Sequence, residues 1–180
     1  MLQIHLWLFL NISTSGDRGG PSLCQYYNYY SKILSIDINA NMGTIKLKYE
    51  ISANDFITAG EASSNVKNKL TQIGISADII KKAAISMYEA EINAVIHGNG
   101  GYAYVEIFSD KVVIKIVDSG PGIPDVAQAM QEGYSTAPDN IREMGFGAGM
   151  GLPNMKRYAD KLEIYTEVGK GTSIILTVNF

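Results

Sequence analysis

The sequence has few of the residues that build disulfides and metal sites. Its 180 residues include a single cysteine, Cys24, and only two histidines, His5 and His97. One cysteine excludes an intrachain disulfide and a thiolate metal site, and it indicates a reducing, cytoplasmic environment. The two histidines lie far apart in the sequence, so a histidine-based metal site is not expected.

The net charge is also small, and the apolar run near the start of the sequence is short. The chain has 15 Lys and Arg against 18 Asp and Glu, a net charge of −3, and its basic residues are scattered. Nucleic-acid-binding proteins usually carry a basic surface, so direct nucleic-acid binding is not expected. Residues 4–10, which are apolar apart from His5, are far too few to span a bilayer, and no Lys or Arg precedes them as in a secretory signal.

The first part of the chain shows no regular pattern. Residues 13–22 are rich in Ser and Gly, and residues 25–30 are polar and rich in tyrosine. Neither stretch has a sustained helical or strand period, and Met42 stands directly ahead of the first convincing strand. We therefore expect a functional domain over residues 42–180. The segment 1–41 is then an extension outside this domain, as would arise from translation assigned too far upstream. The alternative is a short arm that associates with a membrane or binds a partner.

From residue 42 onward, strand and helix patterns come in uneven runs. Such runs favour an α+β two-layer sandwich over a doubly wound sheet. Residues 132–148 are rich in glycine and irregular, and a long loop of this kind is often functional. The predicted strands are 45–51, 102–108, 112–117, 162–168 and 172–178, and the predicted helices are about 59–73, 76–98, 124–131 and 153–159.

Three polar or glycine-rich segments lie between residues 86 and 152. In the first, Glu89 and Asn93 are four residues apart on a predicted helix, so they share one face, with Glu91 roughly opposite. An Asn oxygen suits Mg²⁺, and a carboxylate beside it can accept a proton from a nucleophile. Because the spacing is common, a solvated helix edge is the simpler interpretation of this pair alone. His97 continues the face, as a structural histidine or, less favoured, a phosphate contact.

The second segment begins at Asp118, where an apolar strand ends. A buried carboxylate needs hydrogen-bond donors, and the exocyclic amine of adenine is one. Gly120 and Gly122 leave room for a flat base. An Asp in a loop also bonds to its own following amides, so a simple turn is an equally good interpretation.

In the third segment glycines alternate along residues 145–151, and a helix follows. Backbone amides without side chains at a helix N-terminus form a natural phosphate site. A flexible linker is the alternative, but it would contain more serine and fewer hydrophobic residues than Met150 and Leu152. The segment is neither a Walker loop nor a dinucleotide fingerprint. Residues 169–171 predict a hairpin turn, from which the Thr172 hydroxyl could also reach a base.

Together the three segments resemble the GHKL ATPase superfamily, whose Bergerat fold is shared by histidine kinases, type II topoisomerases, Hsp90 and anti-sigma-factor serine kinases. Residues 89–93 match its N box, 118–122 its G1 box and 145–151 its G2 box, in order and with similar spacing. The resemblance covers residues 42–180 and is strongest to the anti-sigma regulatory serine/threonine kinases. It implies a Bergerat-type two-layer sandwich, with a mixed sheet and helices on one face.

The resemblance also implies a role for each matching residue. Glu89 would be the catalytic general base, Asn93 would hold Mg²⁺, and residues 130–148 would form a lid over ATP. Arg142 in this lid is a weak candidate for contact with the γ-phosphate or a partner. Asp118, Gly122 and Thr172 would recognise adenine, Gly147, Gly149 and Gly151 would wrap the phosphates, and Gly120, Ile123, Gly145, Met150 and Leu152 complete the predicted ATP-binding set.

The leading hypothesis is an ATP-dependent, Mg²⁺-requiring protein serine/threonine kinase of the anti-sigma-factor type. It would phosphorylate a STAS-domain antagonist protein in partner-switching control of transcription, and a sigma factor or other regulator would be a further partner. The resemblance to this family also makes a homodimer plausible. The alternative is a nucleotide-gated binding module with little phosphotransfer. A detached histidine-kinase catalytic domain is weaker, because no long helix with a phosphoacceptor histidine precedes the domain.

Overall fold

The computed structural model describes residues 43–180, so the predicted extension 1–41 and its boundary lie outside the described residues. A five-stranded sheet carries helices on one face. No helix within the described range has the length and apolar character needed to cross a membrane. The elements are β1 (Ile45–Ile51), α1 (Glu61–Gln72), α2 (Ala77–Ile96), β2 (Gly101–Ile107), β3 (Lys111–Asp118), α3 (Val126–Ala129), α4 (Asp139–Glu143), α5 (Gly151–Tyr158), β4 (Lys161–Glu167) and β5 (Gly171–Asn179).

The strands follow the alternation seen in the sequence. In β2, Ala103 and Val105 are buried against the helices, whereas Tyr102 and Tyr104 are exposed on the other face. The nearly continuous apolar β3 lies at the centre of the sheet, yet Lys115 is exposed. Among residues 43–180 the helices cover one face of the sheet, as in a two-layer α+β sandwich, and this predicted class is confirmed.

The strand directions differ from the mixed sheet that the resemblance implied. The strand order is β1-β2-β3-β5-β4, and every neighbouring pair of described strands is antiparallel. β3 and β4 do run in the same direction, since both are antiparallel to β5. Because β5 lies between them, no two hydrogen-bonded strands of the described sheet are parallel, and the expectation of a mixed sheet was wrong.

The helix layer is held by apolar side chains that point at the sheet. Leu70 of α1, Met87 of α2 and Met155 of α5 are fully buried in one core with Ile114 and Leu176 of the sheet. Burying a side chain of this size contributes roughly 1.5–3 kcal/mol relative to leaving it exposed. This packing holds the C-terminal half of α2 and the start of α5 side by side.

A buried carboxylate on α2 caps the beginning of α1. Helix α1 starts after Gly60, whose φ is 93° and which provides no side-chain cap. Instead Glu91, only 3% exposed, accepts hydrogen bonds through Oε1 from the amides of Gly60 and Ala62 at 3.0 and 3.1 Å, and through Oε2 from that of Ser63 at 2.9 Å. The first amides of a helix otherwise lack partners, and a negative charge there is favourable. Glu91 therefore joins α1 to α2.

The segment expected to be irregular contains one short helix. Within residues 132–148 the chain forms α4, whose Ile141 is buried. The helix expected at 124–131 is shorter, four residues in α3, and begins at the Asp125 cap, whose side chain accepts from the amide of Gln128 at 2.9 Å. Four or five residues are too few to show a helical period in sequence, so these ends are set by caps and contacts.

Candidate functional site

A cavity of about 810 Å³ opens beside the C-terminal half of α2. Glu89 and Asn93 line it from α2, Asp118 lines it from the end of β3, and the segments 121–125 and 145–152 complete much of its wall. The predicted residues that line the cavity are Glu89, Asn93, Asp118, Gly122, Ile123, Gly145, Gly147, Gly149, Met150, Gly151, Leu152 and Thr172.

The first two segments meet because the C-terminal ends of α2 and β3 lie side by side. The last residue of β3, Asp118, pairs with Gly101, which follows shortly after α2. The amide of Ser119 donates to the carbonyl of Gly98 at 3.2 Å. A side chain at Gly98 would lie 2.5 Å from Cβ of Asp118, so a glycine is needed for this approach.

Gly120 is not among the described residues that line the cavity. A Cβ on this residue would clash with the carbonyl oxygen of His97 and lie 2.7 Å from Cα of Gly98. Gly120 therefore lets the loop pack against the end of α2. It supports the loop behind the cavity wall, and its contact with ATP stays a prediction.

The Asp118 carboxylate is anchored through one oxygen and free at the other. Its Oδ1 accepts from the amides of Gly120 at 3.0 Å and Thr172 at 2.9 Å. Its Oδ2 has no hydrogen-bond partner among residues 43–180. Burial raises the pKa of the Asp118 carboxyl, while the two amides and His97 lower it. The turn interpretation is therefore correct for one oxygen, and the other remains available to a ligand.

A threonine that the sequence reasoning missed links three parts of this region. Oγ1 of Thr166, in β4, accepts from the amide of Ile123 at 2.8 Å and lies 3.1 Å from Oγ1 of Thr172. A Cβ on Gly122 would clash with the carbonyl oxygen of Glu167, and its φ of 74° also favours glycine. Gly122 thus permits close packing against β4. The hint in the sequence was a polar Thr166 where the buried-face alternation of β4 calls for an apolar residue.

Glu89 and Asn93 both contact α5 rather than solvent alone. Oε1 of Glu89 accepts from Nδ2 of Asn154 at 2.7 Å, a contact that the sequence analysis did not foresee. A Cβ on Gly151 would lie 3.2 Å from Oδ1 of Asn93. The side-chain amide of Asn93 has no hydrogen-bond partner in the described part of the chain. Both side chains are half-buried at the cavity wall, which disfavours the interpretation as a solvated helix edge.

The residues fit a magnesium ion that is held mainly by phosphate. The described residues contain no group of three or more His, Cys, Asp or Glu side chains that could hold a metal ion. The unpaired Asn93 oxygen is a hard, neutral ligand beside the glycine segment. Mg²⁺ commonly combines one or two protein oxygens with phosphate and water, and Asn93 matches that requirement.

Residues 130–148, which the resemblance predicts to form a lid (the lid segment), pack against other parts of the described chain. The rings of Phe146 and Phe56 lie 5.3 Å apart, and the amide of Gly133 donates to the carbonyl of Gly149 at 3.0 Å. This order disfavours the flexible-linker interpretation. Arg142 donates through Nη2 to the carbonyl of Ser135 at 3.1 Å and is not among the described residues that line the cavity, so its contact with the γ-phosphate or a partner stays a prediction.

His97 lies on the cavity wall at the end of α2. Its backbone amide donates to the carbonyl of Asn93 at 2.8 Å. Burial lowers the pKa of the imidazole, and the negative charge of Asp118 opposes this effect. His97 therefore adds a largely neutral polar group to the site near pH 7.

Comparison with known proteins agrees with the geometry. The family described as "Histidine kinase-, DNA gyrase B-, and HSP90-like ATPase" matches residues 85–180, just over half of the chain. The Anti-sigma F factor of Clostridium beijerinckii is 33% identical over 117 residues, covering 62% of this chain and 78% of that protein. The Anti-sigma F factor of a Thermoanaerobacter species is 37% identical over 106 residues, covering 56% and 68%.

A solved structure shares the fold. The RsbU and RsbW domains of Rv1364c from Mycobacterium tuberculosis align with a TM-score of 0.50 and 17% identity, over 75% of this chain. The chain spans 33% of that structure's chain, and at this identity the similarity concerns the fold alone. The family match and the relatives carry the assignment: the chain belongs to the histidine kinase-, DNA gyrase B- and HSP90-like ATPase family.

Proposed function

We propose that the chain is an ATP-dependent protein serine/threonine kinase of the anti-sigma-factor type. It phosphorylates a STAS-domain antagonist protein in partner-switching control of transcription, with a sigma factor or another regulator as its second partner. The observation that carries the proposal is the convergence of Glu89, Asn93 and Asp118 on one cavity bordered by the glycine segment 145–151. The relatives named Anti-sigma F factor support a sigma factor as one partner.

The base of ATP binds at the Asp118 end of the cavity. The free Oδ2 accepts a hydrogen bond from the exocyclic amine of adenine, while the amides on Oδ1 hold the carboxylate in place. Ile123 and Ile174 also line this region, and they offer apolar contact to a flat ring. A pocket with apolar walls and a few placed polar groups is the usual form of a nucleotide site.

The phosphates bind along residues 145–151, at the N-terminus of α5. Backbone amides and the helix dipole favour negative charge there. Asn93 lies against Gly151 and would hold Mg²⁺ at this end of the cavity. When bound, Mg²⁺ neutralises charge on the phosphate oxygens. The lid segment encloses this end and excludes water from it.

Glu89 acts on the acceptor hydroxyl. The carboxylate lies one helical turn from Asn93, so it faces the region beside the terminal phosphate. Its Oε2, which the described residues leave unpaired, accepts the proton of the hydroxyl as the hydroxyl oxygen bonds to the γ-phosphorus, the bond from that phosphorus to the bridging oxygen breaks, and ADP leaves. Phosphoryl transfer depends mainly on positioning the reactants and on stabilising the charge of the phosphoryl group. A single carboxylate is enough to accept the proton of the hydroxyl.

Isothermal titration and phosphotransfer test the proposal together. The full-length chain is titrated with ATP and Mg²⁺, and then incubated with γ-labelled ATP and purified STAS-domain proteins. We expect micromolar ATP binding that Asp118→Ala abolishes. We also expect transfer to a serine or threonine that Glu89→Ala slows by roughly 10²–10⁴-fold while ATP still binds.

Two other outcomes would change the conclusion. ATP binding without transfer to any STAS protein would favour the nucleotide-gated binding module. Absence of binding by the folded chain would mean that the cavity does not serve ATP. Asp110→Ala is the matched control for Asp118→Ala, because Asp110 lies exposed in the turn between β2 and β3.

A further inference from the structure

We propose that Asn154 is a positioning residue for Glu89. Its side-chain amide holds one carboxylate oxygen of Glu89, so that the other oxygen faces the acceptor hydroxyl. The inference rests on the proposed function, in which Glu89 is the general base. Asn154 belongs to none of the three sequence segments that predicted the site, and the contact joins residues 65 positions apart in the chain.

The contact follows from the register of two packed helices. Gly151 lies against Asn93, so closely that a Cβ on Gly151 would be only 3.2 Å from Oδ1. One turn further along α5 is Asn154, and one turn back along α2 is Glu89. The helices therefore run antiparallel here, and a single register brings both pairs together. The absence of a side chain at Gly151 sets how closely they approach.

The donor is held on a rigid frame. The backbone amide of Asn154 donates to the carbonyl of Met150 at 2.8 Å, which fixes the residue in the first turn of α5. One residue on, Met155 is fully buried in the core, and Leu152 is also buried. The Asn154 side chain therefore reaches Glu89 from a fixed point and loses little freedom on making the 2.7 Å bond.

An amide suits this task better than the other polar side chains. It donates a hydrogen bond to the carboxylate without a positive charge, so it orients Glu89 without neutralising it. Asp at the same position would place two carboxylates together, which is unfavourable for both charges. Only Oε1 is engaged, so Oε2 remains free to accept a proton. A carboxylate without this contact would sample other rotamers, and misplacement of a reacting group slows the chemical step.

The test measures ADP release from Mg-ATP with water as the acceptor, using the full-length chain. We expect Asn154→Ala and the isosteric Asn154→Asp to lower kcat by about 10- to 100-fold. The KM for ATP should stay within about threefold, because the residue does not contact the nucleotide. Asn68→Ala, at an exposed position of α1, makes the same chemical change away from the cavity and should keep the wild-type kcat.

A double-mutant cycle separates positioning from a general structural effect. If Asn154 acts only through Glu89, adding Asn154→Ala to Glu89→Ala should change kcat by less than about twofold. A further loss as large as in the single variant would overturn the positioning role. So would a wild-type kcat for Asn154→Ala beside an impaired Glu89→Ala. A wild-type kcat for Glu89→Ala would instead refute the proposed base itself, and with it the role of Asn154.

An NMR measurement tests the pairing when hydrolysis is too slow to follow. The side-chain amide resonances of Asn154, assigned by their loss in Asn154→Ala, should shift in Glu89→Ala as the hydrogen bond disappears. The side-chain amide of Asn68 serves as the internal reference. Resonances of Asn154 that stay unchanged in Glu89→Ala would overturn the pairing.

Discussion

Replacing Asp118 by Asn changes one atom of the proposed base-binding group. Oδ1 remains a carbonyl oxygen that can accept from the amides of Gly120 and Thr172, at present 3.0 and 2.9 Å away. Oδ2 becomes an NH₂ group. An acceptor for the exocyclic amine of adenine is thereby turned into a donor, while the anchoring of the side chain is kept.

The expected loss of ATP affinity can be worked from that single exchange. A hydrogen bond to a charged group contributes about 1.5–3 kcal/mol, and about 1.4 kcal/mol corresponds to a factor of ten. Asp118→Asn should therefore weaken ATP binding by roughly 10- to 100-fold. Guanine carries an acceptor oxygen where adenine carries its amine, so GTP should lose less and the preference for ATP over GTP should fall.

The same change should not destabilise the protein without nucleotide. Burial raises the pKa of the Asp118 carboxyl above its ordinary 3.8. A pKa that is raised in the folded state means that folding favours the protonated carboxyl of Asp118. The contribution of this carboxyl to stability is therefore present below about pH 3.8 and is lost as the pH rises through the raised pKa. At pH 7 the neutral amide avoids the cost of a partly buried charge. The free energy of unfolding of Asp118→Asn should therefore equal or exceed that of the wild type.

Titration calorimetry with ATP and GTP, and urea denaturation without nucleotide, measure the two effects separately. Asp110→Asn is the matched control and should bind ATP as the wild type does. Wild-type ATP affinity in Asp118→Asn would refute the role of Oδ2. A marked loss of stability in the same variant would refute the reasoning about its buried charge.

Three further predictions concern the surroundings of the site. Glu91→Gln should lower the free energy of unfolding by about 2–4 kcal/mol, because an NH₂ group then faces a helix amide. The control Glu61→Gln changes an exposed residue and should lower it by less than about 1 kcal/mol. Urea denaturation measures both variants. Burial and, to a smaller extent, the charge of Glu91 raise the pKa of Tyr49 above 10.0, so NMR titration of the Tyr49 ring should show a lower pKa in Glu91→Gln than in the wild type. The contribution of Tyr49 to stability should be lost as the pH rises through its raised pKa. Gly151→Ala should crowd Asn93 and weaken Mg²⁺-dependent ATP binding about 10-fold with little loss of stability; unchanged affinity in the calorimeter would contradict this reasoning.

Much of the fold was predictable because burial on one face leaves a local pattern. In β2 the small and apolar Ala103 and Val105 alternate with Tyr102 and Tyr104, and in the structure the first pair is buried and the second is exposed. Helix α1 was expected at about 59–73 and ends close to those limits. The short helix α4 was missed, because five residues are held by contacts such as the burial of Ile141 rather than by a period.

The candidate site was predictable only in its residue types. Glu89, Asn93 and Asp118 do line one cavity, as their order in the chain suggested. Gly120 and Gly122 have packing roles that the sequence did not indicate, since Gly120 packs on the end of α2 and Gly122, which also lines the cavity, packs on β4. A glycine is recognised in sequence as a position without a side chain, but which backbone approaches it depends on the fold.

The sequence by itself determined the two-layer class, the position of most helices and strands, and the chemistry offered to a ligand. These follow from side-chain type and from periods of two and 3.6 residues, which are properties of neighbouring residues. The tertiary structure alone decided that Glu91 caps α1, that Asn154 holds Glu89 and that Thr166 bonds to the Ile123 loop. Each of these contacts joins residues at least 28 positions apart, and such distances are set by helix register and strand pairing, which leave no local trace in the chain.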